Sequence, residues 1–566
     1  MGLISHGGTL QATMNALSDI PNYVSHRLMT MAAWPVIVLG VFLAIIIVYA
    51  LGATFRALRR KLNTTSLRGP PGKNFIFGVA RDLFKLVDRG SLYEAWAEEY
   101  GAAFEVPIGL GGKRIILCDP KAIAHFYARD TWTYTMINLE RTLYKRMVGK
   151  GLLLSPGDDH KRQRKSMTPA FSPIAIRNIA PIFYNCAYKV KAAWESLIDM
   201  DGKDTSIIEV QNWMNHISLD SVGNAGFSHD FGSLDGRPSS ITKLFDAFVA
   251  PSKRSAIYDV ITLFLHMFPV LVTFLPTPMV KLFGEMEVTM QGICEKLLER
   301  TRKEKELGIL DGNTDRSIIG SLIKAKDAQS ALHLDLEEVL GLMKTLMVAG
   351  YETTSAGMTW ALLELAQHPD IQSKLREELL SFGADPTYDQ MNSSLPYLDA
   401  VVHESLRLHP SNPEIIREAA EDDVIPLSEP VRTKSGKLVD SISIARGTIV
   451  GVPISCINRS NSVWGPDAKV FRPERWLKED IPKKAQEFRG HRHLLSFSDG
   501  AKICIGKGFA ITEIKAVLSV LVKNFVLEMK DGLDTQVESS RGMLVRPKIV
   551  GAEGVSVPLR ISRYHG

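Results

Sequence analysis

At 566 residues the chain is long enough to bury a large core and would ordinarily divide into two or three domains. Its composition, 45% hydrophobic and 23% charged, argues against a disordered chain and against a polytopic membrane protein. A net charge of +5, with no basic stripe interleaved with aromatics, gives no ground for a nucleic-acid partner. Five scattered cysteines make no disulfide framework, which points to a reducing compartment.

Residues 1–31 are polar, sparsely charged and without motif. From Ala32 to Ala53 the chain carries no charge and is long enough to cross a bilayer of about 30 Å. A cleaved signal peptide is the rival reading, and Ala50-Leu51-Gly52 does offer small residues. The run is too long and starts too deep for a usual signal, which favours a retained anchor. Arg56, Arg59, Arg60 and Lys61 follow at once, while the preceding segment carries little beyond Arg27. The positive-inside rule then leaves everything after residue 55 in the cytosol and residues 1–31 in the lumen. Residues 54–72 form a basic hinge that ends in the stiff, helix-breaking Gly69-Pro70-Pro71-Gly72. Three sequons, at Asn63, Asn392 and Asn458, would be accidental matches on a cytosolic domain.

Phe104 to Cys118 reads as a hairpin around Gly109-Leu110-Gly111-Gly112. Helical patterns dominate after it. His160 and Arg164, following the break at Ser155-Pro156-Gly157, share a face if helical; a solvated basic turn is the plainer reading of the charges. Residues 256–283 are strongly apolar but interrupted by Pro269, Pro276 and Pro278, and fit either a core helix pair or a segment resting on a bilayer surface. Residues 301–330 are charged and read as an exposed connection. A long helix begins near Leu336, with Val339, Met343, Leu346 and Met347 at helical spacing. It meets Ala349-Gly350-Tyr351-Glu352-Thr353-Thr354, where glycine and threonines are poor interior helix formers. A threonine hydroxyl bonding the preceding turn is expected to open the ladder locally and leave a groove lined by an acid and an alcohol.

Glu404 and Arg407 fall at i, i+3 on one helix face, a commonplace pair. Arg417 follows the turn between Pro410 and Pro413, and a strand-turn-strand pattern over 432–452 pivots on Ser435-Gly436. Arg475 lies in Phe471-Arg472-Pro473-Glu474-Arg475-Trp476, and residues 542–545 read as a second hairpin tip. The stretch Phe497-Ser498-Asp499-Gly500-Ala501-Lys502-Ile503-Cys504-Ile505-Gly506 sets one cysteine between two glycines, whose freedom of φ permits close approach to something flat. A helix is expected from about Gly508 to Val522, so Cys504 stands just ahead of a helix N-terminus, where a thiolate is favoured. Such a thiolate can be an axial ligand of haem iron, whereas an isolated cysteine is usually a small buried hydrophobe. Cys118, Cys186, Cys294 and Cys456 read as free structural thiols.

The pattern Phe-x-x-Gly-x-Lys-x-Cys-x-Gly resembles the haem-binding loop of the cytochrome P450 family, with Lys502 in place of the usual arginine. Lysine keeps the charge but loses the bidentate fork. The 349–354 motif, the Glu404/Arg407 pair and Arg475 follow the family's order over nearly the whole chain after residue 69, and the proline hinge is similar to that of microsomal members. The resemblance implies one large, mainly α domain with a minor β region, residues 73–566, behind the single N-terminal transmembrane helix. It implies haem b held by Cys504, with Phe497, Gly500, Lys502 and Gly506 shaping the loop, and with His160, Arg164 and Arg417 directed to the propionates. His160 replaces the family's tryptophan and retains an N–H donor. Glu352 and Thr353 would relay protons to the oxygen being reduced, and Glu404, Arg407 and Arg475 would form a buried structural triad.

The function so implied is monooxygenation of a hydrophobic small molecule by dioxygen and two electrons, with the substrate enclosed by apolar loops near 131–150, 250–280, 411–416 and 542–545. No flavin or nicotinamide domain is present, so a separate NADPH-cytochrome P450 reductase is implied, with cytochrome b5 as a further donor, at the endoplasmic reticulum membrane. Lys483, Lys484, Arg489, Arg492, Lys502 and Lys507 cluster near the cysteine loop, either as a docking face for an acidic flavodoxin-like partner or as a solvated loop. Fungal-type motif style points to secondary metabolism, a terpenoid being one such substrate. Two rivals are a dioxygen-independent isomerase or dehydratase and a non-catalytic haem or ligand binder; the Glu352-Thr353 pair argues against both.

Overall fold

A computed structural model describes residues 44, 47–48, 51–52, 54–79, 82–83, 86, 88–237, 241–242, 244–245, 277–308, 317–327, 332–477, 480–541, 544–552 and 554–566. The chain divides into two compact units, Met1–Thr64 and Thr65–Gly566. In the first, residues 54–63 are helical. The expected anchor over 32–53 lies mostly outside the described residues, and among those described no helix is long and apolar enough to cross a membrane.

The second unit is mainly helical with minor sheet. Its helices are α1 (Arg89–Tyr100), α2 (Pro120–Ala128), α3 (Asn138–Val148), α4 (Gly157–Met167), α5 (Pro173–Met200), α6 (Val210–Phe227), α7 (Pro278–Glu306) and α8 (Ile318–Asp327), followed by α9 (Leu336–Gln367), α10 (Pro369–Phe382), α11 (Tyr388–Ser393), α12 (Pro396–Leu408), α13 (Ile454–Arg459), α14 (Asn461–Trp464), α15 (Lys483–Gln486) and α16 (Lys507–Asn524). Its strands are β1 (Ala103–Pro107), β2 (Lys113–Leu117), β3 (Tyr134–Thr135), β4 (Thr205–Glu209), β5 (Ile415–Ala419), β6 (Asp423–Arg432), β7 (Leu438–Ile444), β8 (Ile449–Val452), β9 (Phe525–Met529), β10 (Val537–Arg541), β11 (Val545–Ile549) and β12 (Pro558–Arg563).

The expected hairpin is β1–β2, and it opens a five-stranded sheet in the order β1-β2-β8-β5-β3, in which only β2 and β8 run parallel. The pattern over 432–452 divides: β6 and β7 pair about Gly436 at φ +83°, while β8 leaves them for the larger sheet. Three of the residues 449–452 are buried and Ile449 is half-buried, so they belong in a sheet covered on both faces rather than on a surface hairpin. β10 and β11 form the C-terminal hairpin, and β12 lies between β4 and β9.

Helix α9 is the spine. Asp335 caps it with a reciprocal capping box to Glu338, which explains a start at Leu336. It is buried on most sides, and Val339, Met343 and Met347 are fully enclosed. A helix this buried must satisfy its own hydroxyls: Thr345 and Thr359 donate to the carbonyls of Gly341 and Ser355, at 2.7 and 2.8 Å. Gly350 lets α6 close on α9, because a Cβ there would stand 2.5 Å from Val222 Cγ2, and Ser218 Oγ donates to the Gly350 carbonyl at 2.9 Å. Gly357 does the same toward Ile514 of α16. Gly341 likewise makes room, for the backbone of Gly151, so all three glycines of this helix serve packing; no break opens in the helix at residues 349–354, contrary to the expected local opening.

Of the expected exposed connection over 301–330, residues 309–316 and 328–330 lie outside the described residues, and the rest is mostly helical and in part buried. α7 continues to Glu306, and Ile318, Ile319, Leu322 and Ile323 of α8 turn into the core. Their i, i+1, i+4, i+5 spacing is an apolar helix face outweighed in the composition by its charged neighbours. Most of 256–283 lies outside the described residues; Pro278 starts α7 at its first turn, where its missing N–H costs nothing.

Candidate active site

The cysteine loop is a set of short turns. Ser498 N–H donates to the Leu495 carbonyl, Ile503 N–H to Gly500 and Cys504 N–H to Phe497, at 2.8, 3.2 and 2.9 Å. Gly500 has φ +64°, and a Cβ there would meet the Tyr127 carbonyl oxygen at 2.2 Å, so the loop lies directly on α2. Gly506 is different from its expected role: its φ of −83° is open to any residue, and it serves as the N-cap of α16, its N–H directed to the Cys504 sulfur. Burial pushes the Cys504 thiol up, against that N–H and the charges of Arg164 and Lys507, yet solvent still reaches the residue. Phe497 sits half-buried with its ring edge-on to His491, 5.9 Å between centroids.

Arg164 lies within charge range of the sulfur, and His160, Lys502 and Arg417 form a cluster with Arg164 and Asp130. Gly157, at φ +49°, starts α4 against the face of Trp132, and His160 and Arg164 follow on that helix. His160 is buried, and its imidazole is pushed down to about 4 by burial and by the Lys502 and Arg164 charges, so it is neutral at pH 7 with one N–H to donate. Lys502 donates to the Leu153 carbonyl at 3.2 Å; burial lowers its ammonium to about 8, against the pull of Asp130. Arg417 Nε donates to Asp130 Oδ1 at 3.0 Å. Burial lowers the Arg164 guanidinium, which senses Cys504. Asp130, with Glu140 within charge range of Arg417, thus stands against three cations and an imidazole N–H. A donor set so short of acceptors suits a flat ligand with two carboxylates beside the sulfur, which is the chemistry of a haem and its propionates. Asp130 was invisible in the sequence because it lies in no motif and is brought in by the turn after α2.

Glu352 is buried on α9, and Thr353 Oγ1 donates back to the Ala349 carbonyl at 2.7 Å, as the threonine reading anticipated. Burial raises the Glu352 carboxyl, opposed by Arg546 of β11. Tyr144 of α3 feels the charges of Glu140, Glu352 and Arg417, so the acid and the cationic cluster border one another across α3. Residues 138–148, expected within an apolar loop, are that helix.

Glu404, Arg407 and Arg475 do meet, all at most 1% exposed. Arg407 grips Glu404 with two bonds of 2.9 and 2.8 Å, and Arg475 Nε stands at 3.5 Å. Arg407 also donates to the carbonyls of Asn458 and Ala468 and lies over the Trp464 ring. Trp476 Nε1 and Arg472 N–H complete the Glu404 carboxylate. The Asn458 sequon is buried. Its side chain accepts from Leu495 N–H and donates to Ser496 Oγ, and Ser496 in turn donates to the Leu406 carbonyl. The triad and the start of the cysteine loop are therefore one network. Among the described residues no cluster of three or more His, Cys, Asp or Glu could hold a metal ion.

Fold and site define a haem-thiolate protein: a sulfur ahead of a helix, a cation-rich rim, an acid–alcohol pair on the central helix and a buried Glu-Arg-Arg triad. The sequence model of cytochrome P450 matches residues 69–550. Cytochrome P450 monooxygenase claQ of Ampulloclitocybe clavipes is 51% identical over 534 residues, covering 94% of this chain and 98% of that protein. Monooxygenase claP of the same organism is 50% identical over 531 residues, with 93% and 98% covered. Cytochrome P450 monooxygenase 205 of Postia placenta is 33% identical, with 89% and 94% covered. The chain belongs to the cytochrome P450 family, whose members are oxidoreductases that carry a haem with cysteine thiolate ligation.

Replacing Arg407 by methionine strands the Glu404 carboxylate in a dry interior. Breaking a buried pair of this kind costs about 3–5 kcal/mol, so R407M should unfold at markedly lower urea concentration, or fail to fold. A loss below about 1 kcal/mol would contradict the assigned role.

Proposed function

We propose that the protein hydroxylates a hydrophobic small molecule with dioxygen, using haem b ligated by Cys504 and electrons from a separate NADPH-dependent reductase. The observation that carries this is the clustering of Arg164, Lys502, Arg417 and the neutral His160, with Arg164 in charge range of a cysteine held ahead of α16. When bound, the haem supplies dioxygen activation, which a thiolate ligand promotes by donating electron density toward O–O cleavage.

The chain's own groups do the rest. The Gly506 N–H and the positive end of α16 stabilise the thiolate form of Cys504. His160, Arg164, Lys502 and Arg417 receive the propionates, and Lys502 takes a single bond where an arginine would take two. Glu352 and Thr353 hold and pass protons from solvent toward the reacting oxygen. The triad of Glu404, Arg407 and Arg475 keeps the loop in register and takes no part in the chemistry. The isomerase and passive-binder readings are disfavoured by the acid–alcohol pair and by the relatives' names.

We assign residues 32–53 to a single-pass anchor in the endoplasmic reticulum membrane, with residues 1–31 lumenal and the haem domain cytosolic, on the uncharged run and the basic residues after it. The electron donor docks on the face formed by Lys483, Lys484 and Arg489, all exposed. Arg492, also exposed, pairs with Asp399 at 2.6 Å, and Lys502 donates to the Leu153 carbonyl, so these two bring charges already partly engaged. Cytochrome b5 would use the same charges. A lipophilic intermediate of secondary metabolism, such as a terpenoid, suits the substrate role.

Thr353→Ala should uncouple the enzyme in microsomes with reductase: NADPH consumption continues while product per NADPH falls at least about tenfold. Coupling equal to wild type would contradict the relay. Reversing Lys483 and Lys484 to glutamate should raise the KM for reductase and flatten its salt dependence, without changing turnover supported by peroxide. An unchanged reductase KM would remove this face from the account.

A further inference from the structure

A carboxylate as deeply buried as Glu352 is costly unless something compensates it. The compensation comes from β11. Arg546 is 2% exposed, and its Nε stands 3.8 Å from Glu352 Oε1, a charge contact rather than a hydrogen bond. Its Nη1 donates to Asn215 Oδ1 of α6 at 2.9 Å, and that oxygen also accepts from Gln211 Nε2 at 3.0 Å. Among the described residues Nε and Nη2 have no hydrogen-bond partner. The guanidinium is thus tethered at one corner, with two donors left over beside the acid.

The adjacent residue of β11 reaches the other member of the pair. Val545 N–H donates to the Ser411 carbonyl at 3.4 Å, and Ser411 Oγ donates to the Thr353 carbonyl at 3.1 Å. Two consecutive residues of one strand therefore reach both residues of the acid–alcohol motif, Arg546 the Glu352 carboxylate through charge and Val545 the Thr353 backbone through a serine.

We propose that Arg546 is the positioning residue of the proton relay: its guanidinium balances and aims the Glu352 carboxylate, and the seating of the β10–β11 hairpin sets acid and alcohol together. This rests on the reading of Glu352 and Thr353 as the relay. Among the described residues the titratable groups facing Glu352 are Arg546 from β11 and Tyr144 from α3. Burial, with the charges of Glu140 and Glu352, pushes the Tyr144 phenol far above its ordinary range, so it stays neutral. Arg546 is then the charge that answers Glu352. A purely structural pair, pinning the hairpin to α9, would affect unfolding but not the state of the acid during turnover.

The test is difference infrared spectroscopy on the haem-loaded protein. Wild type minus E352Q isolates the Glu352 carboxyl, whose protonation is followed against pH. The expected result is an ionised carboxylate at pH 7 in wild type, a midpoint raised by about 1–3 pH units in R546M and R546Q, and restoration in R546K. In the neutral variants product per NADPH should fall while substrate affinity is kept, because a weaker acid donates more slowly. A midpoint unmoved in both neutral variants overturns the proposal. Should neither fold, wild type decides: a protonated Glu352 at pH 7 overturns it and an ionised one supports it. Failure of the relay itself shows separately, as wild-type coupling in E352Q.

Discussion

One sulfur has to be held still, within reach of solvent, at the head of a helix; the rest of the domain can be understood as what that requires. A free loop of this length would sample many conformations, and fixing it costs about 1–2 kcal/mol per residue. The structure offsets that cost with constraints from three sides. The turns from Leu495 to Cys504 close on themselves, Gly500 rests against the Tyr127 carbonyl, and Asn458 of α13 ties Leu495 and Ser496, which in turn bonds α12, the helix of Glu404 and Arg407. Behind this, Arg407 satisfies Glu404 and three backbone carbonyls at once. A buried charge network is a poor source of net stability, but it admits few alternative arrangements. Here that selectivity locks the register of a loop whose geometry the chemistry needs.

Electrostatics in the site follow from an imbalance that the protein alone does not resolve. Arg164, Lys502 and Arg417 crowd a half-buried space with Asp130, and Glu140 near Arg417, as the carboxylates. Burial is the main reason Lys502 is lowered to about 8 and His160 to about 4, with the neighbouring cations adding to it. A ligand bearing two negative groups relieves both, so binding it and ordering the rim are one process. The same logic governs the other side of the central helix, where a buried acid is answered by one arginine on a late strand. The two regions meet at Tyr144, which senses charge from each.

Much of this was legible before any coordinates. The start at Leu336, the cysteine loop, the hairpin at 103–117 and the Glu404–Arg407 spacing are local patterns, and local physics decides them. Helix α8 was missed because Lys324, Lys326 and Asp327 mask an apolar face only ten residues long. The glycines misled in a different way. Gly350 and Gly506 were read as conformational devices, whereas one makes room for Val222 and the other caps a helix at an ordinary φ. Asp130, Asn458 and Arg546 were unreadable for a third reason. Each acts on a residue more than 30 positions away in sequence, and nothing in its neighbours marks it. Sequence order places motifs on elements; only the fold decides which side chains come to answer them.

The central claim is that the sulfur of Cys504 bonds the haem iron. It is tested most directly by the carbon monoxide difference spectrum of the reduced, haem-loaded protein beside that of Cys504→Ser. A thiolate-type Soret band in the wild type, lost in a variant whose circular dichroism still shows a folded helical domain, is the outcome predicted. The same band persisting in the serine variant, or missing from folded wild type supplied with haem, would contradict it.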